Sequence, residues 1–312
     1  MIRKIKNRIP LAAVATLLLA IATSCFTGIE STPKITADDV KRENIPVRPE
    51  DSYLAAIKSQ PLAEWKAGKK FYVTDPKFRL ILQQEGMGAD SLYHKEITYQ
   101  SHREVTSIAG DNIVEIQFVS PAGHALVYRT SRSGNSIDKD GHLSIPFLVD
   151  MDVVGQVSGL LKGHEYYILT SSWYDRNMDG FRGRKFVPVK VENVRPGNGY
   201  YSAILDLIDE KGRPFAMYLS VADDNKSLRG FGSLFSFTNP RDKYPQILDA
   251  TWKNIINGRV AEDMTRDECR LALGTPASVD RRIGYNSISE IWTYENGIYL
   301  IFEDDLLRTF RQ

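Results

Sequence analysis

The chain has 312 residues, 42% hydrophobic and 25% charged, which is too apolar for a disordered polymer and enough for two or three packed domains. Its 40 basic and 39 acidic residues leave a formal charge of +1, and no basic block stands out, so a nucleic-acid partner is not indicated. Cys25 and Cys269 are too few for a disulfide framework.

The first element in chain order is a leader. Arg3, Lys4, Lys6 and Arg8 precede an apolar run at 11–22 and the small polar pair Thr23 and Ser24, the layout of a signal peptide over residues 1–24. The run falls short of the roughly 20 residues a helix needs to span a bilayer. Ala22, Thr23, Ser24 and Cys25 resemble a lipobox, the signal after which bacterial lipoproteins are cut and the new N-terminal cysteine is acylated. The resemblance implies a lipid anchor on Cys25. Each buried CH₂ contributes about 0.8 kcal/mol, so several acyl chains hold a protein at a membrane without a spanning helix.

Loss of the leader's four basic residues leaves 36 Lys and Arg against 39 acids, a formal charge near −3. Residues 25–50, with Pro33, Pro46 and Pro49, read as a flexible tether with a mean reach of roughly 25 to 30 Å. Phe26, Thr27, Gly28 and Ile29 are unlike acidic surface-export signals. The expected location is the cell envelope, on the periplasmic face of the outer membrane.

Residues 65–239 alternate apolar and polar positions in short runs broken by Gly, Asn and Asp, which predicts a mainly β fold. Two stretches parallel each other. Gly68, Phe71, Tyr72 and Val73 match Gly163, Tyr166, Tyr167 and Ile168, and Ile116 and Phe118 precede Gly123 as Leu205 and Leu207 precede Gly212. The expectation is two β-rich units, 51–143 and 144–240, of five or six strands each, by fold analogy small SH3-like barrels.

Bacterial SH3-like domains often bind peptides or cell-wall material along an aromatic groove. Tyr166, Tyr167, Trp173 and Tyr174 are the candidate groove residues here, the bland alternative being plain core-and-surface alternation along a strand. Asp175, Asn177, Asp179 and Gly180 reproduce the first half of a calcium loop. Its twelfth position is Phe186 where a bidentate Glu belongs, so an Asx-rich turn is the preferred reading. No cofactor or metal is expected.

In the last fifth, apolar residues Ile247, Leu248, Trp252, Ile255 and Ile256 lay a stripe on a helix over 245–256, stopped by Asn257 and Gly258. Thr265 and Glu268 form a capping box, with Met264 placed to staple against Cys269. Strands follow at about 278–283, 288–294, 298–302 and 306–310, with Asn296 and Gly297 as a type I′ turn.

Gly258, Met264, Thr265, Glu268, Leu273, Gly274 and Pro276, then Trp292, Tyr294, Gly297, Tyr299, Leu300 and Phe302, resemble the SmpA/OmlA domain of BamE-like envelope lipoproteins over residues 245–312. The resemblance implies a hairpin sheet packed on two helices, in a module that scaffolds outer-membrane assembly without catalysis. Asp263 departs from the family, which usually has glycine before the Met-Thr pair.

The chain therefore reads as a non-catalytic scaffold or binding protein whose partners are the membrane, other envelope proteins or the cell wall. Two alternatives stay open: a carbohydrate, peptide or wall binder using the aromatic strands, and a glycan hydrolase with carboxylates that meet only in the fold. No G-x-S-x-G, H-E-x-x-H or Walker loop is present.

Overall fold

Two glycines in the left-handed region open the same structural unit twice. Gly68 (φ 99°) and Gly163 (φ 87°) precede the aromatic strands β1 (Lys70–Val73) and β6 (Glu165–Ile168), where a Cβ would be strained. Each glycine N–H donates to the corresponding carbonyl of a neighbouring strand, Tyr99 O at 2.9 Å and Val191 O at 2.8 Å. The computed structural model describes residues 48–83, 92–221, 229–283 and 288–312. The chain divides into Met1–Pro46, which lies outside those residues together with Cys25, and Val47–Gln312.

In the first unit β1 is followed by β2 (Glu96–Thr106), β3 (Asn112–Val119), β4 (Ala125–Arg129), the short helix α1 (Gly134–Asp140) and β5 (Leu148–Asp150), in the sheet order β4-β3-β2-β1-β5. The chain then runs directly into α2 (Met151–Leu161). The second unit comprises β6, β7 (Ser172–Tyr174), β8 (Gly180–Arg182), β9 (Pro188–Pro196), β10 (Ala203–Asp209), β11 (Pro214–Leu219), α3 (Phe231–Leu234) and β12 (Phe235–Ser236). Its sheet repeats the order as β11-β10-β9-β6-β12, with β7 and β8 added outside β11.

The repetition extends to irregularities. Gln100 is the unpaired residue between the pairs Tyr99–Phe118 and Ser101–Gln117, and Glu192 is unpaired between Val191–Leu207 and Asn193–Asp206. A bulge bends its strand and raises the local twist, so both sheets turn at the same place. The inward residues fill separate cores, one around Phe71, Phe118 and Phe78, the other around Val191, Leu205 and Met217.

The pattern of the middle region predicts a mainly β fold without marking a helix, and α2 is a three-turn helix within it. Val153, Val154, Val157 and Leu161 are its buried stripe, and Asp150 caps its start by accepting from the Asp152 N–H at 2.9 Å. Three valines and two glycines are weak helix formers, so packing against β9 and β1 sets this segment's structure.

The C-terminal domain has helices α4 (Asp249–Ile256) and α5 (Arg266–Leu273) and a meander of β13 (Ser278–Ile283), β14 (Ile288–Thr293), β15 (Tyr299–Glu303) and β16 (Leu306–Arg311). The capping box forms, Glu268 N–H donating to Thr265 Oγ1 at 3.3 Å and Thr265 N–H to Glu268 Oε2 at 2.8 Å. Met264 and Cys269 are both buried in the domain's core.

Two expectations here need correction. The first helix begins at Asp249 rather than 245, because the Arg241 guanidinium donates to the carbonyls of Tyr244 and Ile247 and holds that stretch in a turn. Asn296–Gly297 is not a type I′ turn. Gly297 has φ 79° while Asn296 stays out of the left-handed region, and Tyr294 N–H donates to Ile298 O at 2.9 Å around a three-residue loop. That is the longer hairpin with glycine at its bulge position. The two-residue primed geometry occurs instead at Asp304 (φ 49°) and Asp305 (φ 73°), between the paired residues Glu303 and Leu306. Asp263 also takes φ 65° and ion-pairs with Arg308, a conformation for which glycine would serve.

Candidate functional site

The hairpin β7–β8 forms one side of a groove. Trp173 turns inward and stacks on Phe215 with ring centroids 3.8 Å apart and planes 12° apart, while its Nε1–H donates to Thr170 O at 3.0 Å. Gly183 passes so close under this indole that a Cβ there would overlap the ring. Trp173 is therefore a fixed floor. On it stands Phe181, 43% exposed and edge-on to the indole at 6.1 Å.

Facing this hairpin is the C-terminal domain's own turn. Tyr294, Asn296 and Ile298 close the far side, leaving a groove of about 470 Å³ with Ser171, Ser172, Tyr174 and Arg182 at its polar edges. The Arg182 guanidinium donates to Gly258 O at 2.9 Å just beyond the end of α4, and the Lys185 N–H donates to Ile256 O at 3.1 Å. These bonds fasten the hairpin to the third domain.

The four aromatic candidates divide by strand phase. Trp173 and Tyr174 line the groove. Tyr166 does not: it is 4% exposed, packed edge-on against Phe231 at 5.0 Å in the second unit's core. Burial, then the nearby Tyr53 hydroxyl, pushes its phenol well above the usual range. Tyr167 lies on the opposite face of β6, half-buried and paired with Ser236 and Pro188. The Tyr174 hydroxyl accepts from Arg229 at 2.8 Å, and that guanidinium lies 5.0 Å above the Tyr174 ring and 6.0 Å above Tyr201. Tyr218 meets Tyr174 edge-on at 5.1 Å.

Asp175, Asn177 and Asp179 form the turn joining β7 to β8. Asp175 Oδ1 accepts from the N–H groups of Asn177 (2.8 Å) and Asp179 (2.9 Å), an Asx turn that spends the carboxylate on its own backbone. Among the described residues no group of three or more His, Cys, Asp or Glu side chains is placed to hold a metal.

Sequence reasoning missed Phe181, Arg182, Leu273, Tyr294, Asn296 and Ile298 as groove residues. Four of the six belong to a domain some hundred residues away, and no local signal connects them. The structure also places a larger cleft, about 650 Å³, between the first and second β-units. Cys269 is fully buried, and burial, then Glu268, pushes its thiol up to about 12, so it is packed rather than reactive.

Among the described residues, no helix is long and apolar enough to cross a membrane. No protein-family model, no curated protein and no solved structure matches the chain. What the described residues define is a mainly β protein with three sheets and a few helices among them, and clefts at the junctions between the sheets.

Proposed function

We propose that the chain is a non-catalytic adaptor of the cell envelope, held at the outer membrane by an acylated Cys25, that binds a segment of another envelope protein in the Trp173–Phe181 groove. The observation that carries this reading is the groove's composition. A buried indole floor, an exposed phenyl ring, two serine hydroxyls and an asparagine amide converge from two domains, an apolar body with a few orienting polar groups.

In this reading the two β-units are SH3-like. Support comes from the shared order 4-3-2-1-5, the helical turn between the fourth and fifth strands, and the long segment between the first and second strands that carries β7–β8. The C-terminal domain is read as BamE-like on the strength of its capping box, its helix pair and its meander.

The test is photo-crosslinking in intact envelopes. A benzoylphenylalanine in place of Phe181 should yield discrete protein adducts that the same group in place of Leu80, 66% exposed on the first unit, does not. Identical adducts at both positions, or none at Phe181, would refute the groove. Intact-mass measurement addresses the anchor separately: an uncleaved leader or an unacylated mature start would remove it, and Cys25→Ser should abolish acylation.

A further inference from the structure

The larger cleft lies where the segment from α1 to β5 of the first unit faces the β9–β10 turn of the second. Its floor is apolar and closed, built from Leu143, Ile145, Val149 and Val221, all under 10% exposed. Its walls are hydroxyl-bearing: Ser59, Ser144, Ser202 and Ser220 are all at its surface. At its mouth is Tyr200, 88% exposed. Asn198 Oδ1 accepts from the N–H groups of both Tyr200 and Tyr201 at 2.9 Å, so the backbone that presents the Tyr200 ring is fixed although the ring stands in solvent.

Each carboxylate lining this cleft already faces a cation. Asp140 pairs with Arg132, and Asp150 with Lys69 at 2.9 Å. Lys58 also has interactions of its own. A cationic ligand would compete with Arg132 and Lys69 for these carboxylates and an anionic one would be repelled by them, which favours a neutral occupant. Asp150 Oδ1 accepts from Lys69 and from the Asp152 N–H, while its Oδ2 is buried without a hydrogen-bond donor. A buried acceptor left unmade is destabilising by roughly 1–3 kcal/mol.

A peptide strand fits poorly, because the adjacent sheet edge β5 is three residues long and its Leu148 N–H is already given to Ile145 O at 3.2 Å. We propose that the cleft between the two β-units binds a neutral oligosaccharide. The apolar face of one sugar ring lies on Tyr200, and ring hydroxyls exchange hydrogen bonds with the serines. The volume is that of a site for a ligand of two or three sugar rings, within the roughly 300–1,000 Å³ usual for small-ligand sites. This site is separate from the groove proposed for protein binding, and neither reading depends on the other.

The experiment uses the full acylated chain in detergent micelles, titrated calorimetrically with chitotriose, cellotriose and maltotriose, with saturation-transfer NMR to identify the sugar protons in contact. At least one trisaccharide should bind with millimolar or better affinity. Tyr200→Ala should weaken that binding about tenfold, and Tyr200→Phe should restore it to within about twofold, the stacking face being what matters. Thermal unfolding should be unchanged in both variants, since the ring is exposed, and crosslinking at Phe181 should persist in both. The proposal is overturned if none of the three sugars binds below about 10 mM, if Tyr200→Ala binds as well as the parent, or if a neutral tripeptide displaces the sugar at equal concentration.

Discussion

Replacing Lys185 with methionine should stabilise this protein, against the usual outcome for a substitution at a mostly buried site. Burial, then the neighbouring Arg182 guanidinium, pulls the Lys185 ammonium from its ordinary 10.5 down to about 8. Among the described residues no carboxylate pairs with it, and its Nζ lies 5.2 Å from the Phe186 ring centroid. In the window from about 8 to 10.5 the unfolded chain binds the proton that the folded chain has released, so stability rises with pH across it. Below pH 8 both states are protonated and the full penalty applies. The gap corresponds to about 3 kcal/mol, and residual solvent access and the lost cation–π contact reduce the expected gain to about 1–2 kcal/mol at pH 7. Urea unfolding of the parent and Lys185→Met at pH 7 and pH 10 checks this. The parent should gain on the variant as pH rises, and other groups cancel in the difference. A variant less stable than the parent at pH 7, or parallel pH profiles, would refute the reasoning.

Asp209 runs the other way. Burial opposes its ionisation, but hydrogen bonds from Arg213, Lys211 and Arg184 outweigh it and hold the carboxyl down to about 2; that contribution is complete above 3.8 and lost as pH falls through 2. Asp209→Asn should therefore cost about 2 kcal/mol at pH 7 and flatten the acid limb of a stability profile between pH 4 and 2. Gly183→Ala drives a methyl into the Trp173 indole and should cost about 1–3 kcal/mol, with tryptophan fluorescence shifted to the red. Lys69→Met should cost about 3–5 kcal/mol, because Asp150 and Asp152 would be left without a cation beside a site where Lys69 is only 3% exposed. Denaturation of Lys69→Met and of the Lys69→Met/Asp150→Leu pair distinguishes a lost attraction from a stranded charge: the pair should be the more stable of the two.

The repeated strand order was legible in part through glycines. A residue that must adopt positive φ leaves few options, so Gly68 with Gly163 and Gly123 (φ 82°) with Gly212 (φ 72°) mark corresponding turns in both units. The bulges at Gln100 and Glu192 were invisible, since an unpaired residue has no side-chain signature. Asn296–Gly297 read as a primed turn and is not one, while Asp304–Asp305 carried no strong signal and is, because aspartate tolerates the left-handed region without requiring it. Tyr166 could have been assigned inward from its phase with Ile168, two residues on, which shares the buried face of β6. No such phase argument reaches the groove, whose walls come from strands in two sheets.

That non-locality bears on function as much as on legibility. Both clefts lie at junctions, and the second unit contributes to each: its β7–β8 hairpin to one, its β9–β10 turn to the other. The two junctions are also fastened differently. Toward the first unit, α2 packs on both β1 and β9. Toward the third domain, the ties are hydrogen bonds from Arg182 and the Lys185 N–H to the carbonyl end of α4, with an unpaired ammonium beside them. The first junction is thus held by a helix that packs on strands of both units, the second by these hydrogen bonds and by Phe186 stacked on Trp252 at 5.6 Å. The Trp173–Phe181 groove, walled by two domains, is where an adaptor would accommodate a protein segment, and the Tyr200 cleft, floored by buried side chains, is where a rigid sugar ring would be recognised.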